Sequence, residues 1–273
     1  IHAHAHLAGL GWVSMMILGV GYKLIPMFSL GELEEDWITH WEFWLLNVGL
    51  MGLVTSALTG SMPSPPFTGM ILAAIGLFLW KIFGVIRKSR RPKLDWGLWH
   101  AVSALIYLAL VGVIGLWLAS GWGLSPHTSS RLAFGYVVLG FLGWMSVMII
   151  GMTYKILPFL VWHYRYSDYV GLRSVPTATE FVGEDLPAVG FWILHCGILI
   201  LIIGLIFQSA PTIQVASMFL ATAGAIFAAA LFLVYRHLSP QLTPLPGERA
   251  ERVKRTPETN QTHIRGVTDG RPV

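Results

Sequence analysis

Apolar residues run through this chain in long blocks separated by short polar breaks, not in the alternating or 3.6-residue stripes of a half-exposed element. A helix needs roughly 20 apolar residues to cross the hydrocarbon layer of a membrane. Backbone inside lipid must also satisfy its own hydrogen bonds, which points to helices. The blocks predict seven spans, at residues 4–28, 40–60, 67–86, 96–120, 131–160, 187–207 and 213–235. The expected fold is all-α, a polytopic transmembrane helical bundle occupying residues 1–237. Residues 238–273 are rich in charge, Thr and Pro, with almost no large apolar residue beyond Leu245, and read as a disordered polar tail.

Composition agrees. Hydrophobic residues make up 55% of the chain and charged residues 12%, whereas an ordinary soluble domain is about a quarter charged. The breaks between spans then supply an orientation, because Lys and Arg collect in cytoplasmic loops. Arg87, Lys88, Arg90, Arg91 and Lys93 fall between the third and fourth spans, Arg165 and Arg173 between the fifth and sixth, and Arg236 follows the seventh. The breaks at 61–66 and 208–212 have no Lys or Arg. This alternation predicts an integral protein of a bacterial-type inner or plasma membrane, with its N-terminus outside and its C-terminus and tail cytoplasmic. Glu32, Glu34, Glu35 and Asp36 then also lie inside, which the rule tolerates. The net charge of +4 reflects this topology and attraction to the lipid bilayer, not nucleic-acid binding. A single cysteine, Cys196, excludes a disulfide framework and a thiolate cluster. The chain opens Ile1-His2-Ala3-His4, without an initiator Met or a basic leader. Truncation of a longer protein is the expectation, with processing as the alternative.

Residues 10–26 read LGWVSMMILGVGYKLIP and residues 142–158 read LGWMSVMIIGMTYKILP, with ten of 17 positions identical. Phe43-Trp44 to Gly49 is answered by Phe191-Trp192 to Gly197, and Met70, Leu72, Ala73 and Gly76 by Met218, Leu220, Ala221 and Gly224. The first three spans therefore repeat as the last three, with the fourth as the link. The repeating unit is four helices, so both copies share one orientation, a parallel repeat of a kind known in membrane proteins. The shared Tyr-Lys-x-x-Pro (Tyr22-Lys23 and Pro26; Tyr154-Lys155 and Pro158) sits at the cytoplasmic end of its helix. There Lys is expected to snorkel and Tyr to anchor.

Ionisable groups within a bilayer are costly and by default functional. His2, His4 and His6 open the first span, His100 lies in the fourth and His195 in the sixth. His4 and His6 point to nearly opposite sides of one helix, since successive residues turn by about 100°. His2 and His6 share a face and could chelate one ion, or the three could form an interfacial cluster wetted by headgroup water. His195 replaces Asn47 of the other copy, so the scaffold does not demand it; a neutral imidazole bonded to a carbonyl is the plain alternative. His100, four residues past Trp96, could equally be interfacial. A neutral imidazole ligates haem iron, copper or zinc. No span is expected to bury a carboxylate with a partner, which argues against a proton pump. The sequence shows no phosphate-binding loop, dinucleotide fingerprint or Ser-His-Asp pattern, and no catalytic residue can be assigned.

His4-Ala5-His6-Leu7-Ala8-Gly9-Leu10-Gly11-Trp12-Val13, continuing to Gly19-Val20-Gly21-Tyr22 and Pro26, resembles the His-x-His helix of haem–copper oxidase subunit I, closest in flavour to the C-type oxidases and nitric oxide reductases. The resemblance implies that His4 holds a high-spin haem beside copper and His6 a low-spin haem, b-type haem being the expected cofactor. The family's next helix carries His-Phe-Trp; this chain has Phe43-Trp44 with Glu42 in place of the His. The family's twelve helices form three four-helix repeats, of which two are matched here. The chain departs from the pattern in having Tyr136 and Val138 where the second copy would repeat His4 and His6, and no adjacent His-His pair for copper. The functional expectation is a membrane haem protein for electron transfer or reduction of a small gas such as oxygen or nitric oxide, with other membrane or cytochrome subunits as partners. The alternative is a non-catalytic relative, a haem or metal sensor, transporter or scaffold subunit.

Overall fold

In the computed structural model the described residues are 2–33, 37–60, 64–91, 93–123, 125–172 and 174–239. Glu34, Glu35, Asp36, Arg173 and the tail from residue 240 onward lie outside them. Seven helices are long and apolar enough to cross a membrane: α1 (His2–Ser29), α2 (Trp37–Thr59), α3 (Ser64–Arg87), α4 (Trp96–Ser120), α5 (Pro126–Tyr169), α6 (Asp185–Phe207) and α7 (Ala210–Leu238). No strand occurs among the described residues.

Three of the helices begin at a side chain that caps them. Asp95 accepts from the Leu98 amide ahead of α4, Ser125 from Thr128 ahead of α5, and Ser209 from Thr212 ahead of α7. Pro stands in the first turn of α5 and α7, where its missing N–H costs nothing. These caps explain why α5 starts at Pro126, five residues before the expected edge: its first turn is polar and escapes a hydropathy reading. α2, α3 and α7 likewise begin three residues earlier than expected.

The repeat is visible in the backbone. α1 widens into a π-helical stretch over Leu7–Ser14, and α5 does the same over Leu139–Ser146. Every position of one stretch lies 132 residues before its counterpart, the same displacement as in the sequence repeat. The two most extensive helix contacts, α2 with α3 and α6 with α7, are also equivalent pairs. α4 packs against α3 and α5 and joins the copies. The core at this junction includes Ile25, Phe78, Ala104, Leu105, Trp144, Val147 and Ile198.

Outside the core, Trp12, Phe43, Trp44, Trp80, Ile106, Phe134, Ile149, Trp192, Leu199 and Phe232 are exposed around the bundle. A soluble monomer does not leave so much contiguous apolar area facing water; lipid is the natural cover. Cys196 is exposed on the same surface.

Candidate functional site

Three polar sites lie among these apolar helices, the first beside the opening turn of α1. Its backbone register is displaced by the π stretch at Leu7–Ser14, a feature that often marks functional segments. Gly9, Gly112, Gly115 and Gly140 carry no side chain into the space between the first five helices, and a cavity of about 500 Å³ remains. This is within the range, about 300–1,000 Å³, of pockets that hold small ligands and cofactors. Its wall is mostly aliphatic and aromatic, with His6, His2 and Tyr136 as the larger polar groups. The His6 ring bonds through Nδ1 to the His2 carbonyl at 2.9 Å, which aims Nε2 toward the Tyr136 hydroxyl at 3.4 Å. Trp144 donates from Nε1 to Ser14 Oγ at 2.9 Å, tying the two π stretches together beside the cavity.

His4 is exposed and does not line the cavity. The opening histidines thus divide, with His2 and His6 on the cavity side and His4 away from it. His6 uses its Nδ1 on the His2 backbone, which leaves Nε2 as its remaining ring nitrogen for a ligand. Among the described residues no three His, Cys, Asp or Glu side chains converge to form a metal site.

His100 and His195 meet at a second site. The α5 residues that mark the two places, Tyr136 beside His6 and Tyr154 beside His100, are 18 residues apart, roughly 27 Å along the helix. The His100 and His195 ring centroids are 6.2 Å apart, and Phe191 stands edge-on to both at 5.0 and 4.1 Å. His100 is 1% exposed and bonds through Nδ1 to the Trp96 carbonyl at 2.7 Å. It is therefore a side chain of the bundle's core. His195 bonds through Nε2 to Ser103 Oγ at 2.9 Å, a hydroxyl of α4 where a carbonyl was the expected partner. Its Nδ1 is buried with no hydrogen-bond partner among the described residues. Phe191 packs against both rings and joins α6 to this site.

The third site overturns the expectation that no span buries a partnered carboxylate. Glu42 is 5% exposed within α2 and accepts a short hydrogen bond from the Tyr22 hydroxyl of α1. Lys81 of α3, 8% exposed, lies 5.5 Å from the centre of the Tyr22 ring and donates to Thr39 Oγ1 at 2.6 Å. The signal was present in the sequence: Leu46, Gly49 and Leu50, four, seven and eight residues on, place Glu42 on the buried stripe of its helix. That stripe is masked because large apolar residues also occupy the other sides of α2, so no single face stands out. The shared Tyr-Lys motif also departs from expectation. Lys155 does not snorkel; it pairs with Asp95 at 2.5 Å while its side chain is only 10% exposed. Lys23, its counterpart, is exposed.

Fold and sites define an all-α integral membrane protein of seven apolar helices with polar sites between them. Neither family models, nor characterised proteins, nor solved structures give a significant match to this chain.

Proposed function

We propose that this chain is a membrane haem protein that binds the iron of a b-type haem through His6 and serves reduction or sensing of a small gas. The observation that carries the reading is the imidazole of His6 at the wall of an apolar cavity of about 500 Å³. The resemblance of the His4–Pro26 segment to the His-x-His helix of haem–copper oxidase subunit I supports the same cofactor. The residues present fit a group ligated by one imidazole: Nδ1 of His6 is fixed by the His2 carbonyl, which orients the ring and sets which nitrogen faces the cavity. The Tyr136 hydroxyl, 3.4 Å from Nε2, can turn aside or hydrogen-bond to an occupant.

A haem held there would supply an iron able to take up an electron and to bind a diatomic gas. One protein ligand suits gas binding better than pure electron transfer, which favours two fixed axial ligands. His4, assigned the high-spin haem by the resemblance, faces away from the cavity and is left without that role. Copper has no three-donor set among the described residues and is not included. Reduction would require an electron donor, for which a cytochrome subunit is the natural class.

We also place the N-terminus outside and the C-terminus in the cytoplasm. In support, the Glu32–Arg90, Lys155–Asp95 and Tyr166–His237 contacts gather the first, third and fifth inter-helix segments and the end of α7 at one end of the bundle. Arg131, bonded to Gln208, is the one Lys or Arg at the opposite end among the described residues.

The test is a dithionite-reduced minus oxidised optical spectrum of the protein expressed with haem supplied and purified in detergent. A b-type difference spectrum is expected. A flat spectrum from folded protein rejects the proposal.

A further inference from the structure

Glu42 is a carboxyl placed where apolar packing alone would be cheaper. A carboxylate taken out of water is stable only when protonated or matched by a cation and hydrogen bonds. Glu42 has both kinds of partner at hand, the Tyr22 hydroxyl from α1 and the Lys81 ammonium from α3. These are the titratable groups that face it from the two helices packed on α2; Lys23 and His40 point outward.

The second copy of the repeat supplies the control. The repeat displacement of 132 residues puts Tyr154 in the place of Tyr22, and that of 148 residues puts Gly190 and Ala229 in the places of Glu42 and Lys81. The backbone arrangement is kept: a Cβ built on Gly190 would sit 3.7 Å from the Tyr154 hydroxyl. Tyr154 therefore looks onto the position a carboxyl would fill, and packs instead edge-on to Phe227. The scaffold stands without the acid and the amine, so their presence in the first copy is not a demand of the fold.

Glu42 lies five residues into α2, about 7.5 Å from its start at the usual rise. Thr39, bonded to Lys81, lies one turn nearer that end. We infer that Glu42, with Tyr22 and Lys81, forms a proton-binding site that exchanges with water at the basic end of the bundle. On uptake a proton from water joins a Glu42 Oε atom, and the Glu42–Lys81 pair passes from neutral to a net charge of +1. On release the proton returns to water and the Tyr22 hydroxyl again donates to a carboxylate. The site needs no haem, so it stands or falls separately from the proposed function.

The experiment is pH-difference infrared spectroscopy of the purified chain in lipid, in H2O and D2O. A carboxylic C=O band is expected to grow as pH falls and to shift in D2O. Glu42→Gln should remove that band, and Tyr22→Phe should move it to higher frequency by deleting one hydrogen bond. Identical difference spectra for wild type and folded Glu42→Gln would overturn the inference, leaving a permanent ion pair. If Glu42→Gln does not fold, Tyr22→Phe decides: a shifted band supports the site and an unshifted one rejects it.

Discussion

Asp95 does two jobs with one carboxylate. Oδ1 accepts from the Leu98 amide and caps α4, while Oδ2 meets Lys155 and, at 3.4 Å, Arg91. Asp95→Asn can keep the cap and lose the charge; it is expected to cost about 1–3 kcal/mol, as for a hydrogen bond to a charged group. Asp95→Ala loses the cap too and should cost about 1 kcal/mol more. Unfolding of both variants in detergent checks the order, and equal losses would deny the cap its share. None of this was legible in the sequence, because two copies of an identical Tyr-Lys-x-x-Pro motif find different partners. Lys155 meets an acid 60 residues away, and Tyr22 meets one 20 residues away. Burial of His100 was equally hidden: four residues past a helix start leaves an interfacial position open, and only the fold shows Tyr154 and Phe191 covering it from α5 and α6.

At the scale of helices, hydropathy located every span, since a run long enough to cross a membrane is its own signal. What it missed was polar and local: the Ser-Pro start of α5, whose capping chemistry was available in the sequence, and the π stretches, which have no compositional mark. An i→i+5 turn holds an extra residue. Deleting Gly11 should return Leu7–Ser14 to α-helix and rotate the His2–His6 turn by about 100°. Haem absorbance should then fall while helical circular dichroism persists; unchanged haem binding would separate the π stretch from the site. Helix approach offers a second check. A Cβ on Gly151 would lie 2.7 Å from both the Gly97 carbonyl oxygen and His100 Cβ, with backbone on one side and no flexible chain to yield. Gly151→Ala should therefore destabilise the α4–α5 contact by about 1–3 kcal/mol. Full stability in a thermal unfolding series would mean that the two helices can part more easily than their spacing indicates.

Over the whole molecule, the repeat was readable in ten identities over 17 aligned positions, and the structure adds paired π stretches and paired helix hairpins. The sites are where the copies differ. Tyr136 stands at the position of His4, His195 at that of Asn47, and Glu42 and Lys81 at those of Gly190 and Ala229. The cost of an ionisable group within a bilayer singled out the histidines, and comparison of the copies set His195 against Asn47; the cavity, formed by five helices, was not accessible to any local reading. The orientation can be checked with reporter fusions. A fluorescent-protein fusion after residue 239 should be bright, and alkaline phosphatase fused in the 208–212 segment should be active; the reverse pattern would invert the topology.

The central claim is that His6 holds a haem. Haem titrated into the purified apo-protein should give one saturating Soret transition in wild type, in His4→Ala and in His195→Ala. His6→Ala should lose that transition and regain it in part when free imidazole is added. A His6→Ala protein that binds haem as wild type does, or a His4→Ala protein that fails to, would contradict the account and move the cofactor elsewhere.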